Sequence, residues 1–187
     1  MDKVVMTCVE SLSDVVVVNI KSYKDDRGNF YKLFDDELKR YSKLKNPILE
    51  VNRSLTKKKG TIRGIHFQYP PYHETKLITC LRGSVKDIIV DIRQNSPTFL
   101  DYMSIKLDDV DNNMIVIPGG YAHGFQTLQD NCELLYFHDQ IYSKKHEGAL
   151  YYNDPTLGID WDLACSEISE RDSSHKLINS EFKGVMI

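Results

Sequence analysis

The sequence predicts an all-β fold of sandwich or barrel type, and three observations carry the prediction. β-branched or alternating stretches recur along the chain, Gly, Pro, Asn and Asp part them at short intervals, and the helical stretches that would join parallel strands are missing. The first stretch, 15–20, opens on Val15-Val16-Val17-Val18 and reads as a buried strand. Residues 35–41 follow as a helix: Asp35 or Asp36 can cap it, and Leu38 and Tyr41 share one face. Strands are then expected over 48–54, 61–68, 76–80, 85–92, 103–107, 114–117, 124–128 and 132–138. Beyond Trp161 the pattern weakens, and the polar stretch 166–174 reads as a loop or a short surface helix. Residues 166–187 are therefore expected as a peripheral C-terminal segment of one domain spanning 1–187.

Turn chemistry sharpens the picture. Arg82-Gly83 suits a tight hairpin, and Lys57-Lys58-Lys59 before Gly60 reads as a solvated hairpin tip. Two glycine-bounded motifs, Arg63-Gly64-Ile65-His66-Phe67-Gln68 and Ile117-Pro118-Gly119-Gly120-Tyr121-Ala122-His123-Gly124-Phe125, each carry a histidine in an alternating stretch. An antiparallel barrel turns such a ring into its own lumen, so two of them point to a site.

Composition narrows the function classes. The chain has 187 residues, 41% of them hydrophobic and 27% charged, with a net charge of −3, which is ordinary for a soluble domain and unlike a general nucleic-acid binder. No apolar run approaches the ~18 residues a membrane span needs, and no basic-then-apolar leader opens the chain, so a cytoplasmic location is expected. Cys8, Cys80, Cys132 and Cys165 are scattered without a Cys-x-x-Cys pair and read as reduced thiols.

The ordered motifs resemble those of the dTDP-4-dehydrorhamnose 3,5-epimerase family, cupin-like enzymes acting on nucleotide-linked 4-keto-6-deoxy sugars. The resemblance runs through Asp26-Arg27-Gly28, Arg63 to Gln68, Lys76-Leu77, Asp91-Ile92-Arg93, Ser96-Pro97-Thr98, Pro118 to Phe125, Glu133-Leu134-Leu135-Tyr136, Asn153-Asp154 and Gly158-Ile159-Asp160-Trp161. It implies a cupin-type jelly roll (double-stranded β-helix) with short peripheral helices, and a homodimer that exchanges strands. It also implies inversion at C3, C5 or both, beside the C4 ketone: a base removes a proton, leaves an enolate, and an acid returns a proton to the other face.

By that resemblance His66 is the base, Asp154 the carboxylate that orients it, Tyr136 the acid, and Lys76 the charge that stabilises the enolate. Arg63 and His123 line the sugar and diphosphate region, and Arg27, Phe30 and Asn52 contact the nucleotide. Singly, each has a plainer explanation: a core histidine, a packed tyrosine, a turn aspartate before Pro155, a strand-end lysine. No cofactor is implied. The Pro-x-Gly-x-x-His pattern ending at His123 resembles metal cupins, but Gln68 stands where their second histidine would be, and Gln is a poor ligand. Lys32 and Glu50 depart from the family's usual glutamate and glutamine in the nucleotide region, leaving the base open, with a CDP-sugar and a single-carbon epimerase as alternatives.

Overall fold

The computed structural model describes residues 6–8, 12, 14–42 and 44–187. Thirteen strands and two short helices follow one another as β1 (Met6–Cys8), β2 (Val16–Asn19), β3 (Lys21–Asp25), β4 (Gly28–Lys32), α1 (Asp36–Tyr41), β5 (Glu50–Thr56), β6 (Ile62–Gln68), β7 (Lys76–Arg82), β8 (Ser84–Asp91), β9 (Tyr102–Asp108), β10 (Asn113–Ile117), β11 (Tyr121–Thr127), β12 (Cys132–His138), β13 (Glu147–Ala149) and α2 (Glu170–Ser173). A six-stranded sheet in the order β1-β2-β10-β7-β12-β5 faces a five-stranded sheet in the order β13-β6-β11-β8-β9, and β3-β4 form a separate hairpin. Every pairing between these strands is antiparallel, and the two sheets form the sandwich that the strand pattern predicts and the jelly roll that the resemblance implies.

Side-chain alternation sorts the core into three layers. Between the sheets, Ile78, Cys80, Ile115 and Leu134 of the larger sheet meet Val85, Ile89, Leu107 and Phe125 of the smaller. The alternate residues along the same strands point outward. Leu77, Met114, Val116 and Phe137 pack under Leu38 of α1, while Ile65, Phe67, Ile88 and Ala122 are covered by Leu150, Leu157 and Val185. Asp35 caps α1 by accepting from the Leu38 N–H at 2.9 Å, as one of the two candidate caps should.

Strand positions agree with expectation to within three residues, and Gly83 takes its left-handed turn at φ 78° between β7 and β8. The sequence does not announce β1, the hairpin β3-β4 or the three-residue β13. The C-terminal stretch differs more. It was placed at the periphery, yet Glu167 bridges to Thr61, Val185 bridges to Arg93, and Asp172 of α2 is 3% exposed. Cys80 and Cys132 are buried free thiols and Cys165 an exposed one, while the Cys8 side chain lies outside the described residues. No helix among the described residues is long and apolar enough to cross a membrane.

Candidate active site

The same alternation that fills the space between the sheets turns polar at one end of it. On the smaller sheet, His123 of β11 lies on the inward face with Tyr121 and Phe125, directly opposite His66 of β6 in the strand register. The close approach needs two glycines. A Cβ on Gly64, at φ 117°, would stand 2.5 Å from the Gly124 Cα. On the larger sheet the inward row of β7 runs from Cys80 and Ile78 to Lys76, and that of β12 from Leu134 through Tyr136 to His138. The two polar ends enclose a cavity of about 830 Å³ lined by Asn52, Arg63, His66, Lys76, His123 and Tyr136, among others.

His66 does not meet Asp154. Its Nε2 lies 2.8 Å from Oδ1 of Asp172, and the other Asp172 oxygen accepts from the Gly64 N–H at 3.2 Å. Asp154 is spent on backbone: Oδ1 accepts from the Thr156 N–H at 2.8 Å and Oδ2 from the Ile178 N–H at 2.6 Å, so it is a buried turn and tether. The carboxylate that His66 meets therefore comes from α2, where Ser169 accepts from the Asp172 N–H at 3.0 Å and fixes it in the first turn. Burial would raise the Asp172 carboxyl, but the bond to His66, its charge and the Gly64 N–H outweigh this and hold it well below the usual range. It stays ionised.

Arg171 closes this side. Its guanidinium reaches Glu147 at 3.0 Å and Asp172 at 3.1 Å, with Nη2 2.9 Å from His66 Nε2. His66, Asp172 and His175 bring donor atoms within 4.8 Å of one another, the one such group of three among the described residues. A cation entering there would face the fixed charge of Arg171, so the donor set fits a dyad better than a metal centre. Gln68, in the place of a second ligand, instead binds the Tyr72 and Ile141 carbonyls and the Ser143 N–H.

Across the cavity, burial pushes the Tyr136 phenol above its ordinary value, while its oxygen lies 3.5 Å from the Ser54 hydroxyl. It remains protonated, as a donor must. The Lys76 ammonium donates to the His66 carbonyl at 3.3 Å and pairs with Glu74 at 3.4 Å. His123 holds both oxygens of Asp87 at 2.9 and 3.0 Å. Burial raises the Asp87 carboxyl, and His123 opposes it. Arg63 donates to Thr56 at 3.0 Å. The sequence motifs do not single out Asp87, His138, Arg171 or Asp172, and they offer Glu74 only beside His73 as a possible metal ligand.

The remaining candidates sit apart from this chain's cavity. Arg27 is clasped by Asp25 on the hairpin, at 2.6 and 3.0 Å, and Phe30 is 65% exposed. Lys32 lies 4.0 Å from Asp35, and Glu50 accepts from the Tyr142 N–H at 3.1 Å beside the cavity mouth, where Asn52 also leans toward it at 3.4 Å.

Comparison with known proteins identifies the family. Residues 10–180 match the family described as dTDP-4-dehydrorhamnose 3,5-epimerase. An enzyme of that name from Sinorhizobium fredii is 34% identical over 165 residues, covering 88% of this chain and 85% of its own. The crystal structure of the Legionella pneumophila epimerase RmlC in complex with dTDP-4-keto-L-rhamnose superimposes with a TM-score of 0.89 at 31% identity, over 99% of this chain and all of that one. The Bacillus anthracis enzyme, with TDP and PPi bound, gives a TM-score of 0.87 at 31% identity over 93% of this chain and 100% of its own. The chain belongs to the dTDP-4-dehydrorhamnose 3,5-epimerase family.

Proposed function

We propose that this cavity epimerises a dTDP-linked 4-keto-6-deoxyhexose at C3 and C5, with His66 as base, Asp172 as its orienting carboxylate, Lys76 as the enolate's counter-charge and Tyr136 as acid. One observation carries the reading: the base His66 stands on the smaller sheet, paired with Asp172 of α2, while a protonated phenol and an ammonium line the same cavity from the larger sheet. Inversion needs that arrangement, because a proton must leave one face of the carbon and arrive on the other. The ketone acidifies both neighbouring carbons. As the proton passes to His66, charge moves onto the C4 oxygen, where an ammonium in a partly dry site stabilises it much more than water would.

Arg63, His123 and Asn52 line the cavity and are assigned to the sugar and diphosphate. Arg27 and Phe30 require a different geometry, since they are exposed on a separate hairpin and neither lines this chain's cavity. We assign them, with Lys32, to the nucleotide in the site of a second copy, so that a homodimer exchanges its hairpins. Glu50 borders the same nucleotide end through Tyr142. A cytoplasmic location belongs to the same reading.

Incubation with the dTDP-linked 4-keto-6-deoxyglucose substrate in deuterated water tests the proposal. Deuterium is expected at C3 and C5 by NMR, together with the inverted sugar. No exchange by the folded protein at either carbon would overturn it.

A further inference from the structure

The lysine of the site is held by a pair that the mechanism above does not use. One Glu74 oxygen lies 3.4 Å from the Lys76 ammonium, and the other accepts from His138 Nδ1 at 2.7 Å. Lys76 and His138 are direct register partners on β7 and β12, so Glu74, arriving just before β7, closes a ring across the strand pair. All three side chains are largely buried, at 10%, 10% and 13% exposure for Lys76, Glu74 and His138. The His138 ring also lies nearly flat against Tyr136, with centroids 6.0 Å apart and planes at 14°.

A lysine carries its charge on a flexible stem, and about 2 kcal/mol of rotamer entropy opposes any one placement of the ammonium. Stabilisation of a developing oxyanion depends on that placement being fixed beforehand. Without Glu74, Lys76 would keep the His66 carbonyl at 3.3 Å as its only partner among the described residues. Without His138, a buried Glu74 carboxylate would lose the donor that aims it.

We propose that Glu74 and His138 are a positioning pair that fixes the Lys76 ammonium where the enolate oxygen forms. The inference rests on Lys76 being the enolate's counter-charge. His138 acts only through its Nδ1–H, and its stacking on Tyr136 is separable from that role.

Two substitutions at 138 split the functions of the ring. His138→Asn presents an amide N–H near the place of Nδ1 and removes the stacked ring, whereas His138→Phe keeps the ring and removes the donor. Deuterium exchange at C3 and C5 is expected to fall about tenfold in kcat for His138→Phe, with KM changed less than about twofold, and to stay within about threefold for His138→Asn. Glu74→Gln should cost more than His138→Phe in the native background and nothing further in a Lys76→Met background, because it acts through the lysine alone. Matched thermal midpoints confirm that the variants fold. The reverse order at 138, equal losses there, no loss in Glu74→Gln, or a full Glu74→Gln effect without Lys76 would each overturn the pair. A wild-type protein inactive in the same assay would instead remove the epimerase reading itself.

Discussion

At the scale of single residues, the chemistry turns on which aspartate meets His66, because a carboxylate can orient a ring or tie down a loop but cannot do both. Asp172→Asn keeps the shape and loses the charge that favours the imidazolium, so exchange should fall by about 10² to 10⁴ in kcat, with nucleotide affinity kept. Asp154→Asn would set an amide against one of two buried backbone N–H donors, costing about 1–3 kcal/mol of stability while leaving exchange in the folded protein. Rates under D2O and urea midpoints for both variants separate the two roles. His66 was legible because its glycine-bounded, alternating motif announces an inward-facing polar group, whereas Lys76 and Tyr136 were legible only through the family resemblance. Asp172 was not, since Ser169-Glu170-Arg171-Asp172 is polar throughout and its burial arises only when 166–187 docks. Glu74 and His138 did leave a trace: each stands two residues from a recognised site residue, and therefore on the same face of its strand or its approach.

At the scale of elements, alternation fixed the strands that bury one face and missed those that bury neither. Lys21-Ser22-Tyr23-Lys24-Asp25 of β3 has no buried face, so its pairing with β4 could be found only in three dimensions. β8 shows what alternation can still hide. It carries Asp87 and Asp91, both fully buried, beside the apolar Val85, Ile88, Ile89 and Val90, and a charge in such a place signals a partner elsewhere. Asp91 finds Arg93, Ser96 and Thr98 at 2.6–2.9 Å and staples the turn that leads to β9, while Arg93 lies 4.6 Å over the Tyr121 ring. Burial pushes the Asp91 carboxyl up, but Arg93 and the two hydroxyls outweigh it, and the net shift is downward. The sign follows: its stabilisation is complete above the unfolded value near 3.8 and fades as pH falls through the lower folded value. Asp91→Ala should therefore cost about 3–5 kcal/mol at neutral pH, by urea unfolding, and progressively less under acid.

At the scale of the whole molecule, the hairpin makes a prediction that a self-contained site would not. If Arg27 serves the partner's nucleotide, coexpressing two inactive proteins, Arg27→Glu and His66→Ala, should restore activity, because a mixed dimer contains one site with both native residues. Random pairing gives about a quarter of the native rate, and hairpins that serve their own chain give none. The fold class was legible from spacing alone, whereas the separate hairpin and the docked C-terminal segment depend on contacts between distant residues. That docking also sets the order in which the protein acquires its abilities. A ribosome completes every described strand before it reaches Asp172, so a chain released between β13 and α2 carries His66, Lys76 and Tyr136 but no carboxylate to arm the base. If Asp172 arms His66 as proposed, such a fragment lacks the group that completes the dyad, and the catalyst is finished only by its last helix.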